Sequence, residues 1–275
     1  MSSGFSKLDN ITYGLPKGDL IVIAGRPSTG KTSFAINIAY NLLKQKTIKI
    51  NISIFSLEMT KIQILYKLIS IGSSLPIKKI LEAKIDIHQW KKIQNICDML
   101  LRADLYINDN ADISIENIKS ISQSTVKKNT YTGVVIIDYL QLIKTAYLNI
   151  DNRQQELTYI TRELKMMAQS LSIPVLILSQ LNRSIEKRVN KKPILSDLKE
   201  SGCLIIHNSI EQDADIVMML YDNNVESQQN SSTTVLDCII SKNRSGPIGS
   251  FQLIFYKKNT LFKIPQESSI VDLIK

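Results

Sequence analysis

The stretch Gly25-Arg26-Pro27-Ser28-Thr29-Gly30-Lys31-Thr32 constrains the fold of this chain more than any other eight residues. An apolar run, Leu20–Ala24, precedes it, and a helical pattern, Phe34–Leu43, follows. Glycines let backbone N–H groups wrap closely around a phosphate, and a helix beginning at that point adds partial positive charge at its N-terminus. A chance match on a surface turn lacks this strand–turn–helix context, so the spacing predicts a nucleotide site. In that site residues 25–32 cradle ATP, Lys31 reaches the β- and γ-phosphates, and Thr32 holds Mg²⁺.

The rest of the chain agrees with such a loop. Short β-rich runs alternate with helical stretches and no internal repeat appears, which predicts an α/β fold with a mostly parallel central sheet and flanking helices. Strands are expected at Asp19–Ala24, Ile48–Ser56, Leu105–Ile107, Val134–Asp138 and Val175–Ser179. The clearest helix is Arg153–Leu171, where Leu157, Ile160, Leu164, Met167, Ala168 and Leu171 recur at three- and four-residue steps before Pro174. From Leu181 to Asn208 the sequence turns polar and basic, carrying Arg183, Lys187, Arg188, Lys191, Lys192 and Lys199. A loop this long inside a compact domain is functional or mobile. Closing strands, partly antiparallel, are expected at Ile216–Leu220, Val235–Ser241, Phe251–Phe255 and Leu261–Ile264, with a surface turn or disordered tip at Ser227–Thr233. All 275 residues are read as one domain.

Two carboxylates suit nucleotide chemistry. Val134-Val-Ile-Ile-Asp138 is an apolar strand ending in an acid. An Asp at the C-terminal end of such a strand binds Mg²⁺ through water, although strands also end in Asp at ordinary turns. Glu58 follows the strand Ile48–Ser56, so it lies at the same sheet edge as the loop and is placed to orient an attacking water. The alternative is a helix N-terminal carboxylate ahead of Thr60, stabilised by the helix dipole.

The formal charge of +9 fits either a solvated lysine surface or a polyanionic partner. Cys97, Cys203 and Cys238 are far apart, and His88 and His207 are the only histidines, which argues against a zinc site and for a reducing compartment. No apolar run approaches the roughly 18 residues of a membrane span. The first residues have neither the apolar stretch of a signal peptide nor the Arg-rich pattern of a transit peptide.

Seven segments together resemble one family. GRPSTGKT, FSLEM (Phe55–Met59), VVIIDYLQL (Val134–Leu142), LSQLNRSIEKR (Leu178–Arg188), LSDLKESG (Leu195–Gly202), SIEQDADIVM (Ser209–Met218) and SKNRSGPIG (Ser241–Gly249) occur in this order. They closely resemble the C-terminal motor domain of the DnaB replicative helicases, a RecA-like P-loop fold, over about Gly4 to Ile264. The resemblance implies an ATP-hydrolysing helicase that moves 5′ to 3′ on single-stranded DNA as a homo-hexameric ring. It assigns Glu58 as the catalytic glutamate and Asp138 with Thr32 to Mg²⁺. Gln180 becomes the γ-phosphate sensor coupled to the DNA loop, and Lys242 and Arg244 the basic pair offered to a neighbouring subunit's γ-phosphate. The basic stretch after Gln180 then resembles loops facing the ring's channel, with Arg183, Lys199, Glu200 and Gly202 toward the DNA backbone. Contacts of this kind grip phosphates without reading sequence and weaken with salt.

Two departures from the family qualify this expectation. The N-terminal helical domain and linker helix of the family precede no part of this sequence, which puts ring formation and the recruitment of primase or a helicase loader in doubt for this polypeptide alone. Six residues, Cys203-Leu-Ile-Ile-His207-Asn208, also separate ESG from Ser209, where the family reads straight on into SIEQDAD. Cys at the start and His-Asn before Ser resemble the two ends of an intein. Six residues cannot build the fold that positions those groups, so no splicing is expected and the insertion reads as a scar. The AT-rich residue bias and this junction suggest an organelle-encoded protein of the plastid stroma, with a bacterial cytoplasm as the alternative. Other functional readings are a RecA-like DNA-binding ATPase that does not unwind, and a truncated remnant of a helicase.

Overall fold

A computed structural model describes residues 1–45, 50–128, 133–145, 153–198, 209–223 and 232–265. The helices are α1 (Ser6–Thr12), α2 (Lys31–Lys44), α3 (Lys61–Ser73), α4 (Ile77–Leu81), α5 (Ile87–Leu101), α6 (Ile115–Lys128), α7 (Arg153–Leu171) and α8 (Ser209–Asp213). The strands are β1 (Leu20–Gly25), β2 (Asn51–Ser56), β3 (Leu105–Asn108), β4 (Gly133–Asp138), β5 (Val175–Gln180), β6 (Ile216–Tyr221), β7 (Thr233–Asn243), β8 (Gly249–Tyr256) and β9 (Leu261–Lys263). They form one sheet in the order β3-β2-β4-β5-β1-β6-β7-β8-β9. β3 to β6 in that order run parallel, and β7, β8 and β9 add on antiparallel to them. The expected α/β fold with a mostly parallel sheet is what forms.

A parallel sheet covered on both faces needs strands that are apolar at every position, because successive side chains point to opposite sides. β1, β2 and β4 are buried along their whole length. On one face Ile21, Ile23, Ile52, Ile54, Ile136 and Leu176 pack with Phe34, Ile38 and Leu42 of α2 and with Ile64 and Leu68 of α3. On the other, Leu20, Val22, Val135, Ile137, Val175 and Ile177 pack with Leu157, Ile160, Leu164 and Met167 of α7. α7 has the bounds that its apolar spacing predicts, and Ser172, at φ 52°, turns the chain out of it before Pro174. No helix among the described residues is long and apolar enough to cross a membrane.

Local departures from the sequence expectations have physical causes. Val175–Ser179 extends by one residue to Gln180, which pairs with Gly25. β2 begins at Asn51 rather than Ile48, and residues 46–49 lie outside the described residues. Thr233, expected in a turn, opens β7 because its partner Tyr256 extends the hairpin that far, while 224–231 are not described. The polar stretch after Gln180 is built rather than slack up to Leu198. It carries 3-10 turns at Arg183–Lys187 and Leu195–Leu198, anchored by the buried Ile185 and Leu198. Arg188 donates to the carboxylate of the buried Asp197 at 2.6 Å and staples the two turns together.

One buried polar side chain ties α2 to the end of the sheet. Asn37 donates Nδ2 to Ser33 O at 2.6 Å and Thr260 O at 2.7 Å, and its Oδ1 accepts the Phe262 N–H at 3.1 Å. Replacing it with alanine leaves a buried N–H and a buried carbonyl without these partners, at about 1–3 kcal/mol for each such group. Asn37→Ala is therefore expected to lower stability by roughly 2–4 kcal/mol in urea denaturation; a loss below about 0.5 kcal/mol would show that Asn37 holds nothing in place.

Candidate nucleotide site

The parallel strands all point their C-terminal ends to one edge, and the loop residues 25–32, Glu58, Asp138 and Gln180 gather there. Gly25 ends β1, flanked by Gln180 of β5 and Leu220 of β6. Asp138 ends β4 opposite Ser56 of β2, with Glu58 two residues further on. Crevices outside the carboxyl ends of parallel strands are where α/β folds bind ligands.

The loop between β1 and α2 has the tight geometry that its glycines allow. A Cβ on Gly25 would lie 2.6 Å from Thr29 Oγ1 and 3.1 Å from Leu220 O. Gly30 sits at φ +87°, and a Cβ there would press on the stacked rings of Phe255 and Phe262. Ser28 takes a left-handed φ of 65°, and Thr29 Oγ1 donates back to Arg26 O at 2.8 Å. Lys31 folds over the loop, donating Nζ to Gly25 O at 2.9 Å and Arg26 O at 3.0 Å. Pro27 completes the turn.

Thr32 at the first turn of α2 donates Oγ1 to Asp138 Oδ2 at 2.7 Å, so the two residues expected at Mg²⁺ are already in contact. A hydroxyl and a carboxylate side by side at a phosphate loop are the oxygen donors that Mg²⁺ prefers, and the pair fits that ion. Burial raises the Asp138 carboxyl, the Thr32 hydrogen bond opposes the rise, and Glu58 adds to it. Burial likewise lowers Lys31 to about 8, against the opposing pull of Asp138 and Glu58. Glu58 is exposed and precedes Thr60, the residue that caps α3 in a capping box with Gln63. It therefore lies outside the helix, ahead of its cap, where its charge acts on both Lys31 and Asp138.

Lys242 and Arg244 lie elsewhere. β7 runs antiparallel to β6, so Asn243 sits opposite Ile216, at the start of that strand. The P-loop adjoins Leu220 at its end, four residues and about 13 Å away at 3.3 Å per residue. Lys242 Nζ donates to Glu211 O and Gln212 O of α8. Arg244 donates to Gln212 O and, at 3.3 Å, to the buried Asp215. Asp215 also accepts from Lys165 at 2.5 Å and from the Leu20 N–H at 2.8 Å. Arg183 sits in the first turn after β5. Lys199, Glu200, Gly202, Cys203, His207 and Asn208 fall outside the described residues, and Ser209 opens α8.

Three residues absent from the sequence expectations also touch this region. Lys67 of α3 donates to Ser33 Oγ at 3.0 Å, and burial lowers its pKa against the pull of Asp138. A lysine three residues after the buried Ile64 and four before the buried Ile71 breaks an apolar stripe, which is the signal that marks it. Gln141 donates to Ser179 at 3.1 Å beside β4 and β5. Glu186 pairs with Arg26 of the loop itself, a contact across 160 residues that no local pattern announces.

Fold and site together define an α/β domain with a glycine-bounded strand–turn–helix loop at the C-terminal edge of its parallel strands. The model of the DnaB-like helicase C-terminal domain matches residues 1–264, and the chain belongs to that family. It is 43% identical over 265 residues to a probable replicative DNA helicase of Trieres chinensis, covering 95% of this chain and 56% of that protein. To the replicative DNA helicase DnaB of Geobacillus stearothermophilus it is 39% identical over 260 residues, covering 94% and 55% respectively. The chain thus spans about half the length of these relatives. Among solved structures it is similar to an isolated ATPase domain, with a TM-score of 0.86 and 37% identity over 96% of this chain and 90% of that one. A KaiC-like protein of Pyrococcus horikoshii, 15% identical with a TM-score of 0.61, shares the fold.

The lowered Lys31 predicts how nucleotide binding responds to pH. Phosphates favour its charged form, so above about pH 8 binding has to take up a proton. The Kd for Mg-ADP is expected to be flat from pH 7 to 8 and then to weaken toward about tenfold per unit as pH rises. Lys31→Met should bind weakly with no such slope. A parent Kd that stays level to pH 9.5 in a fluorescence titration would rule out Lys31 as the titrating ligand.

Proposed function

We infer that this chain is the ATP-hydrolysing motor of a replicative DNA helicase, a homo-hexamer that moves 5′ to 3′ along single-stranded DNA and unwinds the duplex at a replication fork. The observation that carries this reading is the Thr32–Asp138 contact at the edge where Lys31, Glu58 and Gln180 also converge. In the proposed mechanism residues 25–32 hold the ATP phosphates, and Thr32 with Asp138 would hold Mg²⁺, which would neutralise charge on the phosphates. Glu58 orients and deprotonates the attacking water, and Gln180 senses the γ-phosphate. Arg183, Lys199, Glu200 and Gly202 contact the single-strand backbone, without sequence preference and with strong salt dependence.

Lys242 and Arg244 supply charge to the γ-phosphate of the next subunit. Their attachment at the sheet edge away from this chain's own loop favours action in trans, since neither belongs to the edge that carries Lys31. Hydrolysis then depends on assembly. Primase is a candidate partner, because a solved DnaB-like replicative helicase, 36% identical, is described together with its interactions with primase. A helicase loader is a further candidate. The diatom relative and the residue bias favour a plastid stroma over a bacterial cytoplasm.

ATP turnover with and without single-stranded DNA, strand displacement and light scattering on the purified chain test the reading together. DNA-stimulated turnover by a hexamer that displaces a strand is expected, while stimulation without displacement would favour a DNA-binding ATPase that does not unwind. Glu58→Gln should bind ATP normally and lose turnover by about 10²-fold or more. Arg244→Ala should also be inactive alone. Mixed in equal amounts, the two inactive chains should recover roughly a quarter of the parent rate, from interfaces that join an intact Glu58 to a neighbour's intact Arg244. No recovery would remove the trans role.

The insertion 203–208 is read as an intein scar that is retained in the mature chain. Peptide mass spectrometry is expected to find Cys203–Asn208 between Gly202 and Ser209. A peptide joining Gly202 directly to Ser209 would show that the six residues are removed.

A further inference from the structure

The segment after β5 is fastened to the phosphate-binding loop twice. Through the backbone, the Leu181 N–H donates to Gly25 O at 3.2 Å. Through a side chain, Arg26 donates Nη1 to Leu181 O at 2.8 Å, and both Nε, at 2.9 Å, and Nη2 to Glu186 Oε1. Glu186 lies in the turn Arg183–Lys187, itself capped by Asn182, whose Oδ1 accepts the Ser184 N–H at 2.9 Å. Asn182 N donates to Asp197 O at 2.8 Å, and Arg188 to the Asp197 carboxylate. Leu181 to Leu198 is thus a braced unit with the loop's Arg26 as one of its braces.

Lys31 holds the same part of the loop. Its Nζ donates to Gly25 O, the acceptor of the Leu181 N–H, and to Arg26 O, on the residue whose guanidinium grips Glu186. An ammonium that turns to a bound phosphate gives up both carbonyls. Each carbonyl is one link from the braced segment. The side chain of Glu186 is 60% exposed and that of Arg26 only 18%. With its carboxylate end open to water the pair adds modestly to stability, and its position between the loop and the turn Arg183–Lys187 suits transmission.

We propose that the Arg26–Glu186 pair couples the nucleotide state of the loop to the segment Leu181–Leu198, with Glu186 as a positioning residue. The inference rests on the reading of residues 25–32 as the ATP site and of Arg183 as facing DNA, and adds a path through Arg26 beside that of Gln180. By linkage, DNA held on that segment alters nucleotide affinity by the same factor that nucleotide alters DNA affinity.

The test uses the full chain, its Glu186→Gln and Glu186→Asp variants, Mg-ATPγS and oligo(dT). In hydrogen exchange, ATPγS is expected to change the rates of amides 181–188 in the parent by at least about threefold. Glu186→Gln should lose that change while its ATPγS Kd stays within about twofold of the parent, and Glu186→Asp, which keeps the charge, should retain most of it. The basal turnover of Glu186→Gln should match the parent, with its stimulation by oligo(dT) reduced at least about fivefold. An equal exchange response in parent and Glu186→Gln, or none in the parent, overturns the coupling. Where oligo(dT) stimulates the parent, equal stimulation of the two also overturns it. A parent whose exchange responds to ATPγS but whose turnover ignores oligo(dT) upholds the coupling and overturns the DNA reading instead.

Discussion

The pairing of β1 with parallel neighbours on both sides is the constraint on which the site depends. A strand between two parallel partners, covered on both faces by helices, has all its backbone groups engaged and no freedom to shift by a residue without exposing its apolar side chains. Leu20 to Gly25 is such a strand, in fixed register with Val175–Gln180 and with Ile216–Leu220. The loop that follows therefore starts from a point that does not move. Its tight wrap, with Thr29 against Gly25 and Phe255 and Phe262 against Gly30, is set by neighbours that are equally fixed.

The same sheet separates two chemistries by strand direction. Parallel strands bring Lys31, Asp138, Glu58 and Gln180 to one edge. The switch to antiparallel pairing at β7 carries Lys242 and Arg244 toward the other end of β6. There a buried carboxylate, Asp215, joins Lys165, Arg244 and the Leu20 N–H. A buried carboxylate is tolerated only where it is paired and hydrogen-bonded, and this one links β1, α7 and the β7–β8 turn. The basic pair thus rests on the start of the strand whose end carries the phosphate loop.

Much of this was legible from the residues. The continuous apolar runs predicted β1, β4 and β5 to within a residue, and the three- and four-residue spacing predicted α7 with the bounds it has. The strand–turn–helix around residues 25–32 predicted the loop, and the acid ending an apolar strand predicted that Asp138 would share its edge. Other features depended on distant parts of the chain. The order of the first strands, β3-β2-β4-β5-β1, cannot be read from spacing, because the parallel strands are short, mostly apolar runs and none names its neighbour. The stretch Leu181–Leu198 reads as loose loop because its order comes from long side chains, Arg26 to Glu186 and Arg188 to Asp197, rather than from a periodic pattern.

By itself, then, the sequence determined most of the strands, the long helix α7, the loop and the family whose ordered motifs it carries, since these follow from local spacing and residue type. Tertiary structure alone decided which distant groups meet. It brought Lys67 to Ser33, Glu186 to Arg26 and Arg244 to Asp215. These contacts span from 29 to 160 positions. A polar side chain carries no periodic mark of its partner, so a contact of that kind exists only once the sheet has fixed where each strand ends.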